Sequence, residues 1–184
     1  MLRKPKLMKF MFPVVGLVAS SACTTPPVRT LDGAAIPFSQ VLAENVDRPF
    51  ECLGYDPRTD TCEEVSTFEA LGNGQYIATS TTLFGPSSPP IIITTKLSEN
   101  GDMVCFNISE IAFSVKGESD LSTELALASI ENEFKQFGEA CGIYVASETG
   151  YTAQIVSGPD FALDDPLVEL RFFAREKALR FEEP

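Results

Sequence analysis

Residues 65–84 read VSTFEALGNGQYIATSTTLF, and this stretch decides the fold class. Residues 65–71 and 75–84 are both rich in β-branched and aromatic side chains, and Gly72-Asn73-Gly74 lies between them. Asn-Gly between two such runs is a strong signal for a β-hairpin, because both residues tolerate the positive φ angles of a tight turn. The stretch therefore predicts two antiparallel strands.

Further strands are expected along the rest of the chain. Runs of apolar and β-branched residues predict them at 91–97, 103–107 and 111–116, and again at 142–147, 151–157 and 167–174. Most of these runs are separated by short segments rich in Gly, Asn, Asp or Ser, which are typical of turns. The sheet is therefore expected to be mainly antiparallel.

One main helix is predicted between these two groups of strands, over residues 121–137. Asp120 can accept hydrogen bonds from the open amide groups of the first turn, and Gly138 favours the end of the helix. One apolar stripe is formed by Ala126, Leu127, Ile130, Phe134 and Phe137. The predicted fold class is α+β: a sheet of about seven or eight strands with the helix packed on it.

The first 22 residues have the layout of a secretory signal peptide. Residues 1–9 carry four basic residues and no acidic one, residues 10–19 are almost wholly apolar, and small residues follow. The apolar run is about half of the ~20 residues that a membrane-spanning helix needs, and Pro13 and Gly16 weaken it as a helix. The leader therefore fits export better than membrane insertion.

The end of the leader, Ser20-Ser21-Ala22-Cys23, resembles the lipobox of bacterial lipoproteins. In that motif small residues precede a cysteine that is acylated, for example with palmitate; Ser20 stands where the family usually has leucine. The resemblance covers residues 1–23 and implies that a lipid on Cys23 attaches the protein to a membrane. Ser20-x-Ala22 also satisfies the small-x-small rule of ordinary signal peptidase, which leaves Cys23 as an unmodified N-terminus.

The cysteine count favours lipidation. The chain has five cysteines, so an exported form with all of them unmodified leaves one unpaired, free or bound to another molecule. If Cys23 is acylated, the other four form two disulfides. Of the possible pairings we predict Cys52–Cys62, which closes a turn-rich loop, and Cys105–Cys141, which joins the strands on either side of the helix.

One acidic domain is predicted behind a flexible tether. Residues 23–40 are rich in Thr, Pro, Gly and Ala, which indicates a tether, and residues 41–184 are interpreted as one domain. Without residues 1–22, 10 basic residues stand against 26 acidic ones, a net charge of −16. Such a surface repels phosphate backbones and anionic headgroups, so no nucleic-acid partner is predicted, and membrane attachment depends on the lipid.

The residue types present exclude several kinds of catalysis. The chain has no histidine, which excludes Ser-His-Asp and Cys-His catalysis and imidazole metal sites. No phosphate-binding loop or Gly-x-Ser-x-Gly motif is present, so no cofactor is predicted. Neither of two acidic clusters has the spacing of a calcium loop, and we interpret both as solvated, with no metal or catalytic residue. The clusters are Asp56, Asp60, Glu63 and Glu64, and Asp160, Asp164 and Asp165.

These observations predict a lipid-anchored, non-enzymatic protein of the bacterial cell envelope. It is expected to bind another envelope protein or a cell-wall component, or to serve as an accessory subunit. Thr24 stands where an aspartate signals inner-membrane retention in some bacterial lipoproteins, so we expect the periplasmic face of the outer membrane. Two alternatives stay open: a carboxylate-based hydrolase of envelope glycans, and a carrier of a small apolar ligand.

The variant Cys23→Ser tests the lipid anchor. Serine lacks the thiol to which the lipid is attached, so the variant is expected in the soluble fraction of disrupted cells and the wild-type protein in the membrane fraction. Fractionation followed by immunoblotting measures this. Equal membrane association of the two proteins would show that Cys23 is not the anchor.

Overall fold

The computed structural model describes residues 33–159 and 167–181. Within them the chain is mainly antiparallel β-sheet with two helices, α1 Phe38–Glu44 and α2 Leu121–Phe134, and a 3-10 turn at Ile108–Glu110. The strands are β1 Ala35–Ile36, β2 Phe50–Leu53, β3 Thr61–Cys62, β4 Glu64–Gly72, β5 Gln75–Thr82, β6 Ile91–Asn100, β7 Met103–Asn107, β8 Ala112–Val115, β9 Glu139–Ser147, β10 Gly150–Ser157, β11 Val168–Phe173 and β12 Ala178–Leu179.

Eight of the strands close into an antiparallel barrel. Their order is β9-β10-β11-β2-β4-β5-β6-β7, and β7 pairs with β9 to complete the circle. The antiparallel, sheet-rich character agrees with the sequence prediction, but closure was not predicted. The reason is that alternating polar and apolar residues indicate one buried face in an open sheet and in a barrel alike.

The hairpin predicted from residues 65–84 is confirmed. β4 and β5 pair antiparallel from Glu64↔Thr82 to Gly72↔Gln75. Asn73 and Gly74 have φ angles of 53° and 69°, the left-handed conformation that a two-residue hairpin turn requires.

Helix α2 begins where the sequence predicts and ends three residues earlier. The Asp120 carboxylate accepts a hydrogen bond from the Thr123 N–H at 2.8 Å, as expected of an N-cap. The helix does not pack across the sheet as predicted. It lies against β8, where the Phe113 and Phe134 ring centroids are 5.6 Å apart, and Leu127 is its one buried residue.

Helix α1 closes one end of the barrel. Phe38 and Val41 are 1% and 0% exposed. The ring of Phe38 contacts those of Phe68, Tyr76 and Tyr144, with centroids 5.0–5.3 Å apart. Phe38 is therefore an apolar plug between strands β4, β5 and β9.

The last residues of the predicted tether, residues 23–40, are part of the folded domain. Residues 35–36 pair with β9, and Phe38 is buried inside the barrel. The run of small residues and proline before Phe38 concealed this, although Phe38, Val41 and Leu42 have the i, i+3, i+4 spacing of one helix face. The predicted signal peptide, Cys23 and the late acidic cluster lie outside the described residues.

Polar contacts hold both ends of α1. At its start, the Glu99 carboxylate of β6 accepts hydrogen bonds from the Ser39 N–H at 3.3 Å, the Ser39 hydroxyl at 2.8 Å and the Tyr76 hydroxyl at 3.1 Å. At its end, the buried Asn45 amide donates to the Tyr151 hydroxyl of β10 at 3.0 Å. The bond from the Ser39 N–H, and a second one from the Asn45 amide to the Val41 carbonyl at 2.8 Å, satisfy open backbone groups of the helix. The other bonds attach to the barrel a helix that is too short to be stable alone.

The disulfides of the structure are Cys52–Cys62 and Cys105–Cys141, the pairings that the sequence predicts. Cys105 and Cys141 lie directly opposite each other on β7 and β9, with Cα atoms 4.0 Å apart. This bridge therefore lies across the strand pair that closes the barrel. In the described residues no helix is long and apolar enough to cross a membrane.

Replacing Phe38 with alanine tests the plug. Removal of a buried phenyl ring leaves a void at the end of the barrel, so the free energy of unfolding should fall by about 3–5 kcal/mol. Phe84→Ala is the matched control, since Phe84 is 47% exposed, and should cost under about 1 kcal/mol. Urea denaturation of the disulfide-intact proteins measures both. Equal losses of unfolding free energy in the two variants would show that Phe38 does not act as a plug.

Candidate functional site

A cavity of about 450 Å³ lies inside the barrel. Its wall is built from side chains that face inward on β2, β4 to β7 and β9 to β11, because successive residues of a strand point to opposite faces. Most of the wall is apolar, with contributions from Leu53, Phe68, Ile93, Val104, Phe106 and Ile155. The Phe38 plug closes the α1 end, so the cavity lies between this plug and the opposite end of the barrel.

One part of the wall is polar. Glu51 of β2 and Glu64 of β4 both line the cavity, together with Ser66, Ser80 and Tyr144. The Tyr144 hydroxyl donates to Glu51 Oε2 at 3.3 Å, and the Ser66 hydroxyl donates to Glu64 Oε1 at 3.2 Å. The hydroxyls of Ser66 and Ser80 are 2.7 Å apart. The cavity therefore combines an apolar wall with two carboxyl groups.

Burial changes the acidity of these groups. Glu51 is 7% exposed; its burial, and then the neighbouring Glu64 carboxylate, raise its pKa to about 8. Burial also raises the pKa of Glu64, although hydrogen bonds from Ser80 and Ser66 act in the other direction. The pKa of Tyr144 lies well above its ordinary value, because of burial and then the nearby Glu51. At neutral pH Glu51 is therefore mostly protonated.

No basic side chain balances the two carboxyls. Among the described residues that line the cavity, none is lysine or arginine. Buried carboxyls are normally paired with a cation or kept neutral, because an isolated buried charge costs several kcal/mol. The cavity therefore differs from an ordinary apolar core at Glu51 and Glu64.

The early acidic cluster divides between two environments. Asp56, Asp60 and Glu63 form ion pairs on the outside of the barrel, whereas Glu64 faces inward. Glu63 and Glu64 are adjacent in an extended chain, so their side chains point in opposite directions. The interpretation of Glu64 as solvated was therefore wrong. The outer pairs, with their N···O distances, are Asp56–Arg58 (3.2 Å), Asp60–Lys177 (2.7 Å) and Glu63–Arg180 (2.6 Å).

Two of these ion pairs attach the C-terminal segment. Strand β12 pairs in parallel with β3 beside the Cys52–Cys62 ring. The Arg180 guanidinium also donates to the Gly54 carbonyl at 2.7 Å. Hydrogen bonds from Lys177 and Tyr55 lower the pKa of Asp60, which fits a structural role in the folded protein.

Sequence reasoning missed Glu51 altogether. Residues 50–53, Phe-Glu-Cys-Leu, were not interpreted as a strand, because the turn-rich disulfide loop that follows them dominates the local pattern. The alternation Phe50-Glu51-Cys52 is typical of a strand whose carboxylate faces solvent, so the local sequence did not indicate that Glu51 is buried. The register then places Glu51 opposite Ser66 and on the same face as Leu53.

Two other places in the described residues are less suited to bind a ligand or a metal ion. Cys105, Glu139 and Cys141 are close enough together to hold a metal ion, but the two cysteines are joined in a disulfide and provide no thiolate. A second cavity, of about 460 Å³, lies beside the end of α1. Glu44 and Arg48, which line it, are exposed. Neither place combines a buried carboxyl with a largely apolar wall, as the barrel cavity does at Glu51.

Comparison with protein-family models, with curated proteins and with solved structures gives no match to this chain. The function is therefore inferred from the cavity and its residues.

Glu51→Gln should change how stability depends on pH. The folded protein keeps the Glu51 proton up to about pH 8, whereas the unfolded chain releases it near the ordinary value of 4.5. The contribution of Glu51 to stability should therefore be fully present below about pH 4.5 and be lost as the pH rises to 8, by about 1.36 kcal/mol per pH unit at most. Glutamine cannot ionise, so the variant should lose this part of the slope.

Urea unfolding at a series of pH values measures the difference between wild type and variant. Glu69→Gln, an exposed position on the same strand as Glu64, is the matched control and should follow the wild-type profile. A constant difference between Glu51→Gln and wild type from pH 5 to 8 would contradict the burial of an ionisable Glu51.

Proposed function

We propose that this protein binds a small, mainly apolar molecule inside its barrel and carries it in the bacterial cell envelope. The observation that supports this most directly is the cavity of about 450 Å³ with a largely apolar wall. Ligand sites in proteins have volumes of roughly 300–1,000 Å³ and combine apolar walls with a few polar groups. An eight-stranded barrel is also just wide enough to hold one small ligand.

The proposed location in the envelope rests on the sequence and on the disulfides. Two disulfides fit an oxidising compartment outside the cytoplasm. The lipobox resemblance at Cys23 adds attachment to a membrane, with the outer membrane favoured over the inner one. A carrier on a lipid anchor would stay close to the membranes between which an apolar molecule has to move.

The hydrolase alternative is supported by one observation, the paired carboxyls. A buried carboxylic acid with a raised pKa is the usual general acid of a glycosidase. Glu64 was interpreted as solvated from the sequence, but it lines the cavity together with Glu51. A glycan, however, has hydroxyl groups over its whole surface, and each of them needs a polar partner when buried. The apolar wall does not provide these partners, so binding is the better supported function.

A role in binding another envelope protein has less support. The large apolar side chains exposed together on α2 are Leu121 and Leu125, which are 70% and 63% exposed. Two such residues on one helix are common on protein surfaces and do not by themselves form an interface.

Filling the cavity should abolish ligand binding. Thr95 of β6 lines the cavity, whereas its neighbour Thr94 points away from it and lies opposite Thr79 and Ala112. Thr95→Trp should therefore remove binding of N-phenyl-1-naphthylamine, a neutral dye whose fluorescence rises in apolar surroundings. Thr94→Trp, the same change on the outward face, should bind the dye as the wild type does.

Fluorescence titration of the three proteins measures dye binding, and far-ultraviolet circular dichroism checks that each is folded. Dye binding that is equal in a folded Thr95→Trp and in Thr94→Trp would place the dye elsewhere. Absence of dye binding to the wild type would contradict a site for neutral apolar molecules inside the barrel.

A further inference from the structure

We propose that the cavity selects molecules with a protonated amine at one end of an apolar body, and that the amine lies between Glu51 and Glu64. This inference rests on the proposed function, because it names the class of ligand that the same cavity takes. It follows from the arrangement of the two carboxyls, from the charges around them and from the chemistry of the remaining wall.

The two carboxyls are neighbours on the inner face of the barrel. Glu51 pairs with Ser66 across β2 and β4, and Leu53 pairs with Glu64, so the two glutamates are diagonal neighbours. Side chains in this relation have Cα atoms about 7–8 Å apart and can reach a common partner. Ser66 lies beside both of them, and its hydroxyl already donates to Glu64.

Glu51 retains an oxygen for a ligand. Tyr144 donates to Oε2, and no described residue donates to Oε1. The groups that face Glu51 from the neighbouring strands are Glu64 and Ser66 on β4, Tyr144 on β9 and Phe172 on β11. None of them is a cation. A buried carboxyl that lines a cavity and lacks a cation is suited to a cation supplied by the ligand.

The charge of the wall discriminates between ligand headgroups. A carboxylate or phosphate headgroup would be repelled by Glu64 and would find no lysine or arginine among the described lining residues. A neutral headgroup can form hydrogen bonds with the carboxyls but brings no positive charge to them. An ammonium group has three donors, which match Glu51, Glu64 and a serine hydroxyl. The net charge of −12 for the whole chain also attracts cations to the protein.

A metal ion fits this part of the cavity less well than an amine. Calcium takes six to eight oxygen ligands. The polar part of the wall offers the carboxyls of Glu51 and Glu64 and a few hydroxyl groups, and the wall around them is apolar. An ammonium group needs fewer partners, and the apolar wall then contacts the hydrocarbon part of the same molecule.

Three probes of equal chain length separate charge from apolar contact: octylamine, 1-octanol and octanoate. They are titrated at pH 7 into the folded protein, and their dissociation constants are measured by calorimetry. Octylamine should bind at least about tenfold more tightly than octanol, because hydrogen bonds between charged groups are the stronger ones. Octanoate should bind most weakly. Octylamine binding should also release protons from Glu51, which appears as a dependence of the heat on the buffer.

Glu51→Gln and Glu64→Gln should each lower the affinity for octylamine to about that for octanol. Glu69→Gln, exposed on the outside of β4, is the matched control and should keep the wild-type preference. Equal binding of octylamine and octanol, or tighter binding of octanoate, would overturn the amine proposal while leaving a binding cavity in place. Failure of all three probes and of the neutral dye would overturn the proposed function as well.

Discussion

The pairing of β7 with β9 is the constraint on which the rest of the structure depends. It converts a sheet with two open edges into a barrel. Between these strands the chain makes a long excursion through the 3-10 turn, β8 and α2, so their association carries a loop-closure cost. The Cys105–Cys141 bridge offsets this cost, since closing a ring with a sequence separation of 36 stabilises by roughly 4 kcal/mol. The pairing gives both β7 and β9 a strand neighbour on each side.

Closure creates an interior that the inward-facing residues do not fill. Phe38 occupies the α1 end, but Ser66, Ser80, Ala78 and Ala153 are small residues at inward positions of the wall. The remaining space is the cavity, and two carboxyls line it at a cost to the stability of the folded state. Buried ionisable groups with shifted pKa values occur most often at functional sites. The unfilled interior and the two carboxyls without a cationic partner therefore support the same interpretation, that the cavity is a binding site.

The sequence alone predicted the features that depend on residues close together in the chain. Asn73-Gly74 specified its hairpin, and Asp120 specified the start of α2, because each acts through local backbone geometry. Closure, the plug at Phe38 and the inward direction of Glu51 depend on partners far along the chain. Glu51 is 93 residues from Tyr144, its hydrogen-bond donor. The site was therefore missed, although Glu64 had been noticed as part of an acidic cluster.

The most direct test of a ligand site inside the barrel is methyl NMR of protein labelled at isoleucine, leucine and valine. During titration with N-phenyl-1-naphthylamine, the aromatic rings of the dye should shift the methyl signals of Ile93, Leu97 and Val104, which line the cavity. The signal of Ile92, which points outward beside Ile93, should move little. Shifts confined to the exposed Leu121 and Leu125 of α2 would contradict the account, because the dye would then lie on the surface.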